Sequence, residues 1–258
     1  MRKVVILFFS LLFFNLMSVA APLQANISKE GEAGVNKIVD SQTNQPIQGA
    51  RVSMPQKNYS TKTCADGTFD LNADINAPTV LSVEKDGYRP FSLTIDERIA
   101  SRPIVVGIEK TSPMNITIDK DMFHLGDNNY SDASANAGDF RVKCVGPYYT
   151  KNVKISQSTG NTYLVVGSII GIDTKMARSM GQNRIVNAYA SAPEIFFNGN
   201  KIAEIQLNGD GQSFKIPKNL IRIGQNNEIT IKTGRNLMQT AYIDYDDIEF
   251  MNLSIENR

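Results

Sequence analysis

The sequence predicts an all-β fold: two β-sandwich domains behind a short export signal. Three observations lead there. From residue 33 onward, short alternating or β-branched runs are bounded by Gly, Pro, Asn or Asp, as in "PIQGARVSM", "TKTCADGTFDL" and "PIVVGIEK". Helical character is confined to residues 174–180, a short stretch ended by Gly181. The first 25 residues have a composition of their own and stand outside the fold.

That N-terminus reads "MRKVVILFFSLLFFNLMSVAAPLQA". Arg2 and Lys3 precede an apolar run over residues 4–16, broken only by Ser10 and Asn15. Small residues follow at Ser18, Ala20, Ala21 and Ala25. This is the layout of a secretory signal peptide (residues 1–25) cleaved after Ala20 or Ala25. The run is short for a membrane span, which needs about 20 residues. No Cys stands nearby to take a lipid. The expectation is a chain exported to the periplasm or beyond the cell, with no membrane anchor after cleavage.

Roughly 230 residues remain, comfortable for two domains of about 100–200 residues each. Residues 33–110 form the first. "VDSQTNQPIQGARVSM" places a polar turn before Pro46 and a strand after it. Asp66-Gly67 and Asp86-Gly87 are turn dipeptides whose Gly can take a positive φ, each flanked by strand residues. The arrangement of Thr43, Pro46, Gly49, Ala50 and Val52, then Asp66, Gly67, Phe69 and Leu71, then Lys85, Gly87 and Tyr88, resembles the carboxypeptidase regulatory-like domain. The resemblance implies a small transthyretin- or immunoglobulin-like sandwich, a non-catalytic appendage of exported proteins.

The polar segment 110–113 ends in Pro113 and reads as a linker. Residues 114–258 form the second domain. "NTYLVVGSIIGI" is strongly β, and "PEIFFNGNKIAEIQL" is a hairpin about Asn198-Gly199. "FHLGDNNY", "FFNGNKIAEI", "IPKNLIRIGQNNEITI" and "YDDIEFMNLSI" together resemble a galactose-binding-like jelly roll, the fold of many carbohydrate-binding modules. That fold binds sugars, lipids, proteins and metals in different families, so the resemblance implies architecture more than ligand.

Composition excludes several functions. The net charge is +1, from 27 basic and 26 acidic residues, so no basic surplus invites nucleic acid. The single histidine, His124, forbids any site built on two imidazoles and leaves one possible Ser-His-Asp triad. No G-x-S-x-G motif accompanies it, and a hydrogen-bonded structural histidine is the expectation. "LNGDGQSF" precedes a strand rather than a helix, so it offers phosphate no helix terminus. Cys64 and Cys144 fall in different domains; they are either small buried thiols or an inter-domain clasp, which would need Cα atoms within about 7 Å.

The acids of "AYIDYDDIEFMNLSI" carry the remaining chemistry. A glycosidase needs two carboxylates about 5–9.5 Å apart across a cleft. Strand alternation instead puts Asp247 and Glu249 on one face and Asp246 on the other. Clustered carboxylates on a strand end suit a hard cation such as Ca²⁺, which takes six to eight oxygens. The galactose-binding resemblance implies a structural calcium site joining an early loop, with Asp127, Asn128 and Asp132, to Asp247 and Glu249 in the last strand. The alternative is that these acids only keep a strand edge soluble. Alternation further pairs Met251, Leu253 and Ile255 with the phase of Glu249, unless a bulge flips it.

For a glycan the chain lacks Trp, the strongest platform, but offers Tyr130, Tyr148, Tyr149 and Tyr163 beside polar loops. "GPYYTKN" is the most ligand-like stretch, although one buried and one exposed ring is the common fate of paired tyrosines. The whole reads as an exported, non-enzymatic two-module protein. Its jelly roll is expected to recognise a carbohydrate or another extracellular ligand through Tyr130, Tyr148 and Tyr149. The rival reading is a structural or adhesive scaffold with a protein or surface-polymer partner; a hydrolase would require two carboxylates facing across a deep cleft.

Overall fold

The structure, a computed structural model, describes residues 25–27, 34–113, 115–131, 134–136, 140–158 and 160–258. The segment read as a signal peptide lies outside these residues except for Ala25, and Asp132 lies outside them altogether. Among the described residues no helix is long and apolar enough to cross a membrane.

The first unit contains β1 (Ala25–Ile27), β2 (Lys37–Asp40), β3 (Arg51–Met54), β4 (Tyr59–Lys62), β5 (Thr79–Glu84), β6 (Phe91–Ile95) and β7 (Ile104–Ile108), with one helical turn, α1 (Glu97–Ala100). The strands form two sheets, β1-β7-β2 and β4-β3-β5-β6. Alternation decides what each face does. Val52, Leu81, Val83 and Leu93 point inward and build a core with Ile38, Ile104 and Val106. On the opposite face of the second sheet, Ser53, Ser82 and Ser92 stand in register across β3, β5 and β6.

The second unit contains β8 (Asn115–Leu125), β9 (Tyr148–Lys154), β10 (Thr162–Ile170), α2 (Lys175–Ser179), β11 (Glu194–Phe197), β12 (Asn200–Glu204), β13 (Gly209–Ile216), β14 (Asn226–Lys232) and β15 (Ile248–Asn257). Its sheets are β13-β10-β15-β8 and β12-β11-β14-β9. That order, with successive strands alternating between two four-stranded antiparallel sheets except at the β11–β12 hairpin, is a jelly roll. The helix α2 begins at Thr174, whose side chain accepts from the Ala177 N–H. Asn198 and Gly199 both take positive φ, 49° and 77°, the turn that matches strand twist in a two-residue hairpin. Phe197, Phe250, Ile195, Ile229, Leu164 and Leu253 fill the core between the sheets.

β15 is not an edge. It is hydrogen-bonded to β10 on one side and β8 on the other. Its register slips about Asn252, which takes φ +58°. The bulge flips the phase: Ile248 and Phe250 face the core before it, Leu253 and Ile255 after it. Glu249 and Met251 therefore point outward, toward the first unit, and Met251 does not share the side of Leu253 as simple alternation expects.

The two units meet through that outward face. Val80, Met122, Ile170 and Met251 make a small apolar cluster between them. Elsewhere the contact is polar and close. Ser168 Oγ and Ser92 Oγ hydrogen-bond at 2.9 Å, and a Cβ added at Gly167 would come within 2.6 Å of both Ser92 Oγ and Asn252 Cβ. Asp210 accepts from the Thr94 N–H and hydroxyl and from Ser168. Burial raises its pKa above the carboxylate norm, against these donors. Arg89 joins Glu109 at 2.7 Å and also pairs with Glu256. Gln56 is the deepest link: its Oε1 accepts from Thr79 Oγ1 and the Val80 N–H, and its Nε2 donates to Glu249.

Candidate functional site

Three loops gather at one end of the jelly roll: residues 126–147, 171–193 and 233–247, each joining the two sheets. Hydrogen bonds knit them. Asp127 Oδ2 accepts from the Tyr245 N–H at 2.8 Å, while its Oδ1 holds its own turn through the Asn129 N–H. Asn129 Nδ2 donates to Asp244 Oδ1 at 2.9 Å and to the Tyr242 hydroxyl at 3.2 Å. The Leu237 N–H donates to the Tyr189 carbonyl at 2.8 Å, and Ser191 N–H to the Arg235 carbonyl at 2.9 Å.

The acids of the closing strand are largely buried within this end, so the solvated-edge reading does not hold. Asp244, Asp247 and Glu249 are 8%, 5% and 0% exposed. The carboxylates expected to share calcium turn to different partners. Asp247 Oδ1 meets His124 Nε2 at 2.7 Å and accepts from the Asn128 N–H at 3.1 Å. Glu249 is held by Gln56 and by the Val142 N–H. Asp127 lies beside Asp247 in this cluster, since residues on both sides of it touch that carboxylate, but it spends both its oxygens on backbone donors. Asp247 sits on Gly126, where a Cβ would come within 2.2 Å of Oδ1.

A different pair of acids is short of partners. Asp173 is 2% exposed and its Oδ1 has no hydrogen-bond partner. Asp246 Oδ2, although the residue is only half-buried, is shut off from solvent and equally unpartnered. The Asp173 backbone N–H donates to the Asp246 carboxylate, so the two lie together. Burial, then the charges of Asp173 and Asp247, drives the Asp246 pKa far above the usual carboxylate range. Burial pushes Asp173 up to about 7, with the Asn136 N–H and Arg178 opposing it. Asp246, Asp244 and Asp247 line a small cavity of about 20 Å³ with Asn129, Tyr130 and Asn236. That is room for about one water molecule or ion.

His124 is 1% exposed and both its ring nitrogens are engaged: Nδ1 at 2.9 Å from the Val142 carbonyl, Nε2 on Asp247. It therefore has no nitrogen free to serve as a base for a bound substrate. Its ring stacks on Phe140 at 4.9 Å, with Tyr130 edge-on at 6.2 Å. Burial alone would lower its pKa, but the Asp247 and Val142 hydrogen bonds and the charges of Asp247 and Glu249 outweigh it and raise the value. Both cysteines are free; Cys64 is exposed rather than buried, and Cys144 is half-buried.

The tyrosines divide. Tyr148 is half exposed, under Lys232 Nζ at 6.0 Å, and hydrogen-bonds Tyr245. Tyr149 is 5% exposed, wedged against Phe123 and Phe250 with its hydroxyl on Asp119. Burial raises its pKa further from the physiological range. Tyr149 is a core residue, and its burial takes it out of reach of a soluble ligand. Tyr130 lines the cavity and donates to the Phe140 carbonyl. Tyr163 lies on β10 under the Arg258 guanidinium at 5.2 Å, away from these loops.

Sequence reasoning passed over the most exposed residues of this end. Among the described residues eleven large apolar side chains remain exposed, and nine of them belong to these loops or begin β9. They are Val145, Tyr148, Met176, Met180, Val186, Leu237, Met238, Tyr242 and Ile243. The signal was present in "NLMQTAYID", an apolar stretch with no alternation and no strand to bury it.

No protein-family model matches the chain, and no curated protein matches it. Among solved structures, it is similar to the carbohydrate-binding module CBM36 in complex with calcium and xylotriose, at 14% identity and TM-score 0.24, over 55% of this chain and 97% of that one. It is similar to a β-D-glucuronidase from Dictyoglomus thermophilum at 15% identity and TM-score 0.28, over 58% of this chain and 29% of that one. A third is a carbohydrate-binding module of the β-sandwich superfamily, at 9% identity and TM-score 0.17, over 90% and 94%. The functional reading rests on the geometry of the loop end.

Proposed function

We propose that the chain is an exported, non-enzymatic binding protein whose jelly roll takes a glycan at this three-loop end. The carrying observation is the concentration of exposed rings and apolar side chains there, beside planar polar groups. Tyr242 and Tyr148 offer faces for sugar C–H groups; Asn129 and Asn236, held by Asp244, offer amides for hydroxyls. The first sandwich, read as a carboxypeptidase regulatory-like module, holds the jelly roll from behind. A cut after Ala20 would leave β1 whole, whereas one after Ala25 would remove its first residue.

The test is a glycan array probed with the mature chain. Tyr242→Ala and Asn129→Ala should each weaken the bound glycan by about tenfold, or about 1.4 kcal/mol. A second reading, a protein-docking surface, is favoured by Met176, Met180 and Met238, since flexible thioethers suit adaptable protein contacts. An array with no binding turns the function to that reading.

Calcium fits this end at Asp173 and Asp246, whose orphaned oxygens are what a hard cation takes; of the acids expected from the sequence, Asp127, Asp247 and Glu249 accept from protein donors, and Asp132 lies outside the described residues. Bound there, it would supply the positive charge that two buried acids lack. Without metal, the folded pKa of Asp173, about 7, stands above its ordinary value, 3.8. The folded state then holds a proton that the unfolded chain releases. This contribution is complete below the unfolded value and is lost as pH rises through the folded one. In chelator the melting temperature should fall between about pH 4 and pH 7, with a ceiling of about 4 kcal/mol on the loss. Calcium should cancel the fall, and Asp173→Asn should flatten it. A melting temperature at pH 7 indifferent to calcium would remove the ion and leave the glycan reading intact.

A further inference from the structure

A second cluster at this end has a different chemistry. A ring nitrogen of His124, Cys144 Sγ and an Asp247 carboxylate oxygen all lie within 4.8 Å of one another, and Nε2 is the nitrogen 2.7 Å from Asp247 Oδ1. They come from three parts of the chain, and each is held in place. Cys144 is bridged in parallel to His124 by backbone pairing, and the Val145 N–H donates to the His124 carbonyl at 3.0 Å. The Cys144 thiol accepts from the Gly146 N–H at 3.4 Å. Asp247 is fixed by the Asn128 N–H and by its packing on Gly126.

The histidine is oriented as a ligand would be. A carbonyl only accepts, so the 2.9 Å contact with Val142 means that Nδ1 carries its hydrogen and Nε2 faces the cluster. Ligating imidazoles are commonly held this way, with the far N–H on a backbone carbonyl. The stack on Phe140 fixes the ring plane.

We propose that His124 Nε2, Cys144 Sγ and Asp247 bind a divalent transition metal of the zinc class, fastening Cys144 of the 126–147 loop to the end of β8 and to the 233–247 loop. One nitrogen, one sulfur and one carboxylate suit a borderline ion such as Zn²⁺ and disfavour Ca²⁺ or Mg²⁺, which take oxygen. Three protein ligands leave a fourth position for water, and half-buried Cys144 gives the ion a way in. In the metal-free protein a proton on Nε2 makes the contact with Asp247. Uptake of one M²⁺ releases that proton and the thiol proton, two in all. The site shares no ligand with the Asp173–Asp246 pair, although Asp247 adjoins Asp246, and it does not depend on the glycan reading.

The experiment uses the mature chain, stripped with chelator and titrated with Co²⁺. One equivalent should bind with a sulfur-to-cobalt charge-transfer absorption, and Zn²⁺ should displace it. Cys144→Ser should abolish that band and weaken uptake about tenfold or more, while Cys64→Ser leaves both unchanged. In the unsubstituted protein, Zn²⁺ should slow alkylation of Cys144 and not of exposed Cys64, a readout that needs no folded variant. Absence of stoichiometric uptake, a band that survives Cys144→Ser, or equal alkylation of both thiols would overturn the proposal, leaving His124 and Asp247 as a proton-held ion pair.

Discussion

Replacing His124 by leucine in metal-free protein is expected to lower the free energy of unfolding by about 3–5 kcal/mol. The side chain is close in volume, so little of the loss comes from packing. It comes from Asp247, whose carboxyl is 2% exposed and would keep a single backbone donor, the Asn128 N–H. A buried charge deprived of its partner is costlier than the pair was worth. Adding Asp247→Asn to the leucine variant should therefore recover much of the loss. It removes the charge and keeps an oxygen for Asn128. Urea unfolding of the two variants measures both steps; a single substitution that costs less than about 1 kcal/mol would show that the carboxyl finds water instead.

Gln56→Leu is expected to cost about 2–4 kcal/mol and to loosen the two sandwiches from each other. One amide satisfies three groups at once: Thr79 Oγ1, the Val80 N–H and Glu249. Its loss takes one donor from a fully buried carboxylate that also accepts from the Val142 N–H. Because Gln56 belongs to one unit and Glu249 to the other, the damage falls on the seam. Calorimetry should show one transition broadening or splitting into two. An unchanged single transition would mean that the serine and Asp210 contacts hold the seam without it.

What could be read in the sequence is what depends on near neighbours. Asn198-Gly199, Asp66-Gly67 and Asp86-Gly87 marked turns because only certain residues take those backbone angles, and Gly67 and Gly87 do take φ near 80°. Residues 174–180 showed their short helix for the same reason. Alternation sorted most strand faces, and it failed in β15 where Asn252 inserts a residue that no local pattern announces. The site was less legible, because its partners are distant. His124 and Asp247 are 123 residues apart, and Gln56 and Glu249 are 193 apart. Tyr148 and Tyr149 are adjacent and had to face opposite ways, but only the position of Phe123 and Phe250 decides which ring is swallowed. Asp173 stood alone after a buried strand, and nothing nearby marked it as the neighbour of Asp246.

The place of β15 has a consequence for the order in which the molecule is made. Synthesis delivers β8 and β10 long before the strand that lies between them. Until residues 248–257 emerge, each carries a row of bare N–H and C=O groups, and the pocket for Phe250 and Leu253 stands open. The second sandwich thus closes late and in one step. A nascent or truncated chain lacking those ten residues has two sticky margins instead of one frayed end, which makes it the form most exposed to aggregation.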